Sequence, residues 1–156
     1  MSVVIKASQK SKRTTNPIRN IVDNLVPPQN HAKSFLNLAL GDPTLHGNLE
    51  CPSDFKEAIR ETLKTDSANG YMQSIGMLPA RQAIAEYSCT PGYDVTADDV
   101  IIASGCSGAI DLVLTGLLDE GENILVPNPS FPLYQVIAES LGCSVKRYAL
   151  KVNLYH

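Results

Sequence analysis

The sequence predicts an α/β fold, and three observations predict it. From Val100 onward, apolar runs at residues 100–103 and 123–126 and a third strand-like stretch at 143–150 alternate with two stretches of helical spacing. That order is strand, helix, strand, helix, strand, and each connection is long enough for a right-handed crossover between parallel neighbours. Second, the first run turns through Ser104-Gly105-Cys106-Ser107-Gly108 straight into a helical pattern, the junction of a buried strand with a crossover helix. Third, the first two runs are apolar without alternation, which fits a sheet covered on both faces. Three parallel strands leave two open edges, so this reads as the opening of a larger sheet.

The remaining elements follow from local signals. Residues up to about Lys33 read as an irregular arm, interrupted by a short helix in which Ile18, Ile21, Val22 and Leu25 share a face. Asn16-Pro17 starts it and Pro27-Pro28 stops it. Residues 34–40 are mostly apolar and extended, and empty into the turn formers Gly41-Asp42-Pro43-Thr44. A helix capped by Ser53 places Phe55, Ala58, Ile59 and Leu63 on one side. Pro79 opens the next, with Ala80, Ala83, Ile84 and Tyr87 as its apolar face. The helix at 107–118 closes at Asp119-Glu120-Gly121. The last runs from about Pro132, capped by Ser130, through Tyr134, Ile137 and Leu141 to a stop at Gly142.

Composition narrows the function classes. A chain of 156 residues, 44% hydrophobic and 19% charged, has the size and balance of about one ordinary globular domain. Its net charge of -3 gives no general attraction to nucleic acid. Lys6, Lys10, Lys12, Arg13 and Arg19 do precede the first acid, Asp23. A solvated arm is preferred there over a mitochondrial transit peptide or a nucleic-acid arm, because aromatics are missing. Cys51, Cys89, Cys106 and Cys143 form no Cys-x-x-Cys pair, so no metal site is expected and reduced thiols are. No run has the length of a secretory core or a bilayer span. A cytoplasmic protein is expected, with the mitochondrion as the alternative compartment.

The glycine turn is the first candidate for chemistry. The opening amides of a helix lack partners within it, and its dipole places partial positive charge there, so small residues make a seat for an anion such as phosphate. Gly105 and Gly108 serve equally well to permit a tight bend. Gly105-Cys106-Ser107-Gly108-Ala109 also approximates a nucleophile elbow, but only His156 follows it, which supports a serine hydrolase using Ser107 poorly. Cys106 as a reactive thiolate lacks a partner histidine. Phe131 follows the second strand at the carboxyl edge, where an aromatic either stacks on a planar heterocycle or packs its loop. Tyr71, in the loop Asn69-Gly70-Tyr71-Met72-Gln73-Ser74-Ile75-Gly76, offers a phenol to an anion or is a half-buried loop residue.

Four motifs in order resemble the tyrosine aminotransferases of the class I, fold-type-I, pyridoxal 5′-phosphate-dependent family. They are LGDPT at 40–44, NGY and SIG within 69–76, SGCSGAIDL at 104–112, and NILVPNPSFPLY at 123–134. Asn16-Pro17-Ile18-Arg19 and Gly47-Asn48-Leu49 resemble that subgroup further, and the match covers about residues 14–150. The resemblance implies an incomplete aspartate-aminotransferase-like fold: an arm and small-domain segment over 1–50, the first part of the large cofactor domain over 51–150, and an atypical tail at 151–156. It implies that the amides of Cys106 and Ser107, after Gly105, hold the cofactor phosphate. Phe131 would stack on the pyridine ring, Tyr71 would reach the phosphate of the other subunit of a homodimer, and Gly41 would lie beside the substrate carboxylate. The implied reaction moves an amino group from an aromatic amino acid to a 2-oxo acid, with the cofactor carrying the carbanion. The family also needs a lysine that forms a Schiff base, and neither Lys146 nor Lys151 occupies a matching position, so no catalytic residue is assigned here. The chain alone is expected to be inactive and poorly soluble. The alternative of another class is a non-catalytic partner of a full-length subunit.

Overall fold

The computed structural model describes residues 5–26, 29, 32–33, 41–42, 44, 47 and 49–151. Two compact units emerge, one drawn from Met1–Leu25 and Ile102–His156, the other from Val26–Ile101.

The first unit is built on two parallel strands, β1 (Asn123–Asn128) and β2 (Ser144–Ala149), in register from Asn123 opposite Ser144 to Asn128 opposite Ala149. The crossover is helix α6 (Leu133–Ser140), which packs on both strands and buries Val136, Ile137, Ala138 and Ser140. With Val126 and Cys143 these side chains are the core of the unit, and full burial of each branched aliphatic is worth about 1.5–3 kcal/mol. The expected stop at Gly142 is present and has a specific geometry. Gly142 takes φ 86°, its N–H donates to Glu139 O at 3.0 Å, and the Cys143 N–H donates to Ala138 O at 2.9 Å. These two bonds satisfy the orphan carbonyls of the last turn in a Schellman arrangement.

The run at 100–103 is not a strand. Val100 has extended dihedrals, but the sheet among the described residues has two members, and none lies beside residues 100–103 to take their backbone hydrogen bonds. Nor is the sheet covered on both faces: Leu125 is 66% exposed, because α6 shields the side carrying Val126. Helix α5 (Gly105–Leu117) packs on α6 and begins two residues before the expected start.

The arm is more regular than its composition suggests. A helical turn, α1 (Gln9–Arg13), is capped by Ser8, whose Oγ accepts from the Ser11 N–H at 3.1 Å. Lys10, Lys12 and Arg13 lie near its negative end, as the helix dipole favours. Arg13 pairs with Glu120 at 2.8 Å, and α1 rests on α6. Next comes α2 (Pro17–Val22), where Asn16 Oδ1 accepts from the amides of Ile18 and Arg19 as its motif predicts.

The second unit holds α3 (Ser53–Lys64), α4 (Leu78–Ser88) and a 3-10 turn over Ala97–Asp99. Pro52 rather than Ser53 occupies the cap of α3, and no side chain caps it. Its apolar stripe, Phe55, Ile59 and Leu63, is exposed, and the opposite side carries the pairs Glu57–Arg60 and Glu61–Lys64. In α4 the buried residues are Arg81 and Ala85, whereas Ile84 and Tyr87 of the expected face are exposed. The reason is polar: loop 73–76 and the 3-10 turn present carbonyls to that side, and they satisfy a guanidinium that burial would otherwise penalise. Thr90-Pro91-Gly92-Tyr93 forms a tight turn with Gly92 at φ 83°, closed by Tyr93 N–H to Thr90 O at 2.9 Å.

Candidate functional site

Within the first unit, the site begins where the chain enters α5. Gly105 adopts φ 67°, a left-handed conformation that glycine alone takes without steric cost. The residue before it, Ser104, makes no side-chain bond to the helix. The first amides of α5, those of Cys106 and Ser107 among them, therefore end the helix without a side-chain cap, on its positive pole. A Cβ added at Gly105 would meet nothing within 4 Å, so the turn itself stands clear of neighbouring atoms. At Gly108 it would meet the Cβ atoms of Ala103 and Ser104 at 3.6 and 3.7 Å, an ordinary contact. The two glycines thus differ: Gly105 sets the backbone turn, and at Gly108 the entering chain leaves room for a methyl.

Phe131 lies in the loop from β1 to α6 and is about half exposed. Its ring meets Tyr134 edge-on, at 6.4 Å between centroids and 90° between planes, so one aromatic is braced by another. Tyr134 in turn lines an apolar hollow of about 260 Å³ with Ala109, Ile110, Val113 and Leu114 of α5. Phe131 thus meets Tyr134, and Tyr134 faces the hollow that α5 lines. Tyr134 is the residue that sequence reasoning undervalued, reading it only as one member of an apolar face. Its spacing of three from Phe131 across Pro132 was the available signal.

Tyr71 and Gly41 belong to the second unit. The Tyr71 side chain is fully exposed, and Gly41 is exposed. Beside Gly41, Asp42 Oδ1 accepts from both the Thr44 hydroxyl, at 2.6 Å, and the Thr44 N–H, at 2.8 Å. The hydroxyl bond, then the amide bond, holds the Asp42 carboxyl below the ordinary aspartate range. The expected turn is therefore a closed Asx turn. The run expected to be extended at 34–40 lies outside the described residues, as do His31, His46 and His156.

Among the described residues no side chain hydrogen-bonds the Ser107 hydroxyl, and none of the histidines a hydrolase needs is described. Cys106 is exposed and free, as are Cys51 and Cys89, while Cys143 is buried with its thiol donating to Asp119 O at 3.2 Å. Among the described residues no group of acidic, histidine or cysteine side chains has metal-binding geometry. No helix there is long and apolar enough to cross a membrane.

A family model for aminotransferase class I and II matches residues 33–154. Tyrosine aminotransferase from Homo sapiens is 46% identical over 146 residues, which cover 94% of this chain and 32% of the human protein. The Dictyostelium discoideum tyrosine aminotransferase is 42% identical over 94% of this chain and 35% of its own length. Among solved structures, tyrosine aminotransferase from Leishmania infantum superposes with a TM-score of 0.86 and 35% identity, covering 97% of this chain and 38% of that one. Alanine aminotransferase from Pyrococcus furiosus follows at 0.76 and 29%, covering 92% and 36%. The chain spans about a third of the length of the curated relatives it matches.

Proposed function

Since this chain belongs to the class I and II aminotransferase family, we propose that it carries the phosphate-holding part of a pyridoxal 5′-phosphate site. The reaction we assign to the parent site is transfer of an amino group from an aromatic amino acid to a 2-oxo acid. Support for the aromatic substrate comes from relatives named tyrosine aminotransferase at 42% identity and above. The division into an arm-and-small-domain segment (1–50), a cofactor domain (51–150) and a short tail is part of the same reading.

The residues present fit the cofactor. The left-handed Gly105 turn, clear of neighbouring atoms, and the uncapped start of α5 leave the Cys106 and Ser107 amides to a phosphate. Each such charge-assisted bond contributes about 1.5–3 kcal/mol, and the helix pole adds about 0.3–1 kcal/mol. The exposed Phe131 ring, held edge-on by Tyr134, offers a flat face for the pyridine and fixes its tilt. The Tyr71 hydroxyl donates to the phosphate bound by a second copy, and Gly41 leaves its backbone clear for the substrate carboxylate. When bound, the cofactor supplies an electron-accepting ring for the pair released as the amino acid loses its Cα proton. These side chains bind and orient. None of them moves that proton, and Lys146 and Lys151, both exposed, are assigned no part in it.

The observation that carries this reading is the uncapped, glycine-turned start of α5 in a chain of this family. Titration of the chain with pyridoxal 5′-phosphate and with pyridoxal, which lacks the phosphate, tests it. At least tenfold tighter binding of the phosphate ester, reduced in Gly105→Val, is expected; equal binding of the two refutes it. In the presence of tyrosine, 2-oxoglutarate and cofactor the chain alone is expected to show no turnover, and sustained turnover would overturn that part.

A further inference from the structure

Arg81 is the most deeply buried charged side chain among the described residues, at 3% exposure. Its Nε donates to Gly76 O at 3.2 Å, one terminal nitrogen donates to Ala97 O, and the other to Gln73 Oε1 at 3.1 Å. Asp98, almost wholly solvated, lies 3.7 Å away and adds only a screened attraction. The guanidinium is planar and its donors are fixed relative to one another, so three acceptors from two separate segments are held in one plane. Two of the three belong to the loop that carries Tyr71. Gly76 is the buried residue of that loop and takes φ 106°, a conformation that brings its carbonyl to Arg81. Gln73 is held twice: its side chain by Arg81, and its backbone oxygen by the Gly76 N–H at 2.9 Å. Tyr71 stands two residues before this anchor, fully exposed.

We infer that Arg81 is a positioning residue: it clasps the 73–76 turn and thereby presents Tyr71 to whatever anion that phenol meets. The inference rests on the role proposed above for Tyr71, but the clasp is observable without it. A neutral side chain at position 81 frees both loop anchors, and a lysine restores charge without the three-point fork.

Hydrogen exchange and a double-mutant cycle on the full chain test this together. In Arg81→Gln and Arg81→Lys, exchange at the Gly76 amide is expected to rise at least tenfold, while amides in the second half of α4 stay within twofold. Gln73→Ala, which alters an exposed loop and leaves α4 intact, is expected to give a smaller rise of the same kind. In the cycle, Arg81→Gln lowers pyridoxal 5′-phosphate affinity at least fivefold when Tyr71 is present and less than twofold in the Tyr71→Phe background. An unchanged Gly76 amide in both Arg81→Lys and Gln73→Ala overturns the inference, as do equal losses of affinity in the two backgrounds. Full affinity in Tyr71→Phe alone instead overturns the role given to Tyr71, and a raised Gly76 exchange then still supports the clasp.

Discussion

Gly105 and Gly108 stand three residues apart in one helix, and alanine at each is expected to move stability in opposite directions. At Gly105 the backbone is left-handed, φ 67°, and an L-residue held there costs about 1–2 kcal/mol. A small gain in helix propensity at a terminal position offsets part of this, leaving about 1 kcal/mol of destabilisation. At Gly108 the backbone needs no glycine, and the new methyl would lie 3.6 and 3.7 Å from the Cβ atoms of Ala103 and Ser104, within ordinary packing distance. There the reduced freedom of the unfolded chain dominates and gives about 0.4–1 kcal/mol of stabilisation. Urea titrations read by hydrogen exchange of α5 amides report the unit that contains both sites. Gly105→Ala should lower the midpoint and Gly108→Ala should raise it. Shifts of the same sign, or no shift in Gly105→Ala, would refute the assignment of the turn to Gly105. The functional consequence runs in parallel: Gly105→Ala redirects the Cys106 amide and weakens phosphate binding, whereas Gly108→Ala leaves the amides where they are.

Two further outcomes follow from geometry already described. A Cβ at Gly142 would overlap the Arg13 guanidinium, lie 2.8 Å from Glu120 Cγ, and sit at φ 86°. Gly142→Ala should therefore cost about 1–3 kcal/mol, combining left-handed strain with the loss of a half-exposed ion pair, measured as a lowered unfolding midpoint. Asp99 accepts from the Thr96 hydroxyl at 2.7 Å and the Thr96 N–H at 2.9 Å, and these bonds, the hydroxyl first, hold its carboxyl below the ordinary aspartate range. A lowered folded-state pKa gives stability that is present above the unfolded value and lost as pH falls through the folded one. Carboxyl NMR titration should place Asp99 below a model aspartate, and Thr96→Val should move it upward; coincidence with the model aspartate in the parent chain would contradict the bonding.

Some of this molecule could be read from neighbouring letters alone. The cap and proline of α2 and the glycine stop of α6 depend on residues within a few positions of one another, and the two parallel strands on a connection long enough to cross over; each is present. The start of α5 and the loop position of Phe131 were legible for the same reason. What could not be read depended on remote partners. Arg81 is buried on α4 because carbonyls from residues 76 and 97 converge on it, and no helical periodicity announces that. The seating of Tyr134 at a hollow lined by α5 arises from the packing of two helices. The missing strand at 100–103 makes the same point from the other side, since an apolar run becomes a strand only when another backbone lies beside it. The turn at α1 escaped notice because it has no apolar face, only a serine cap and basic residues suited to its end.

The link from Arg13 to Glu120 joins residues 107 positions apart, and it has a consequence for synthesis. At about 5–20 residues per second, the ribosome needs roughly 5–20 s after making Arg13 before Glu120 exists, and longer before the end of α6 can receive it. Throughout that interval Arg13 lacks the carboxylate it pairs with in the folded unit, and is open to any acidic surface at the tunnel exit. Docking of that segment thus waits on the synthesis of Glu120 and α6, in a unit whose strands pair over only about twenty residues.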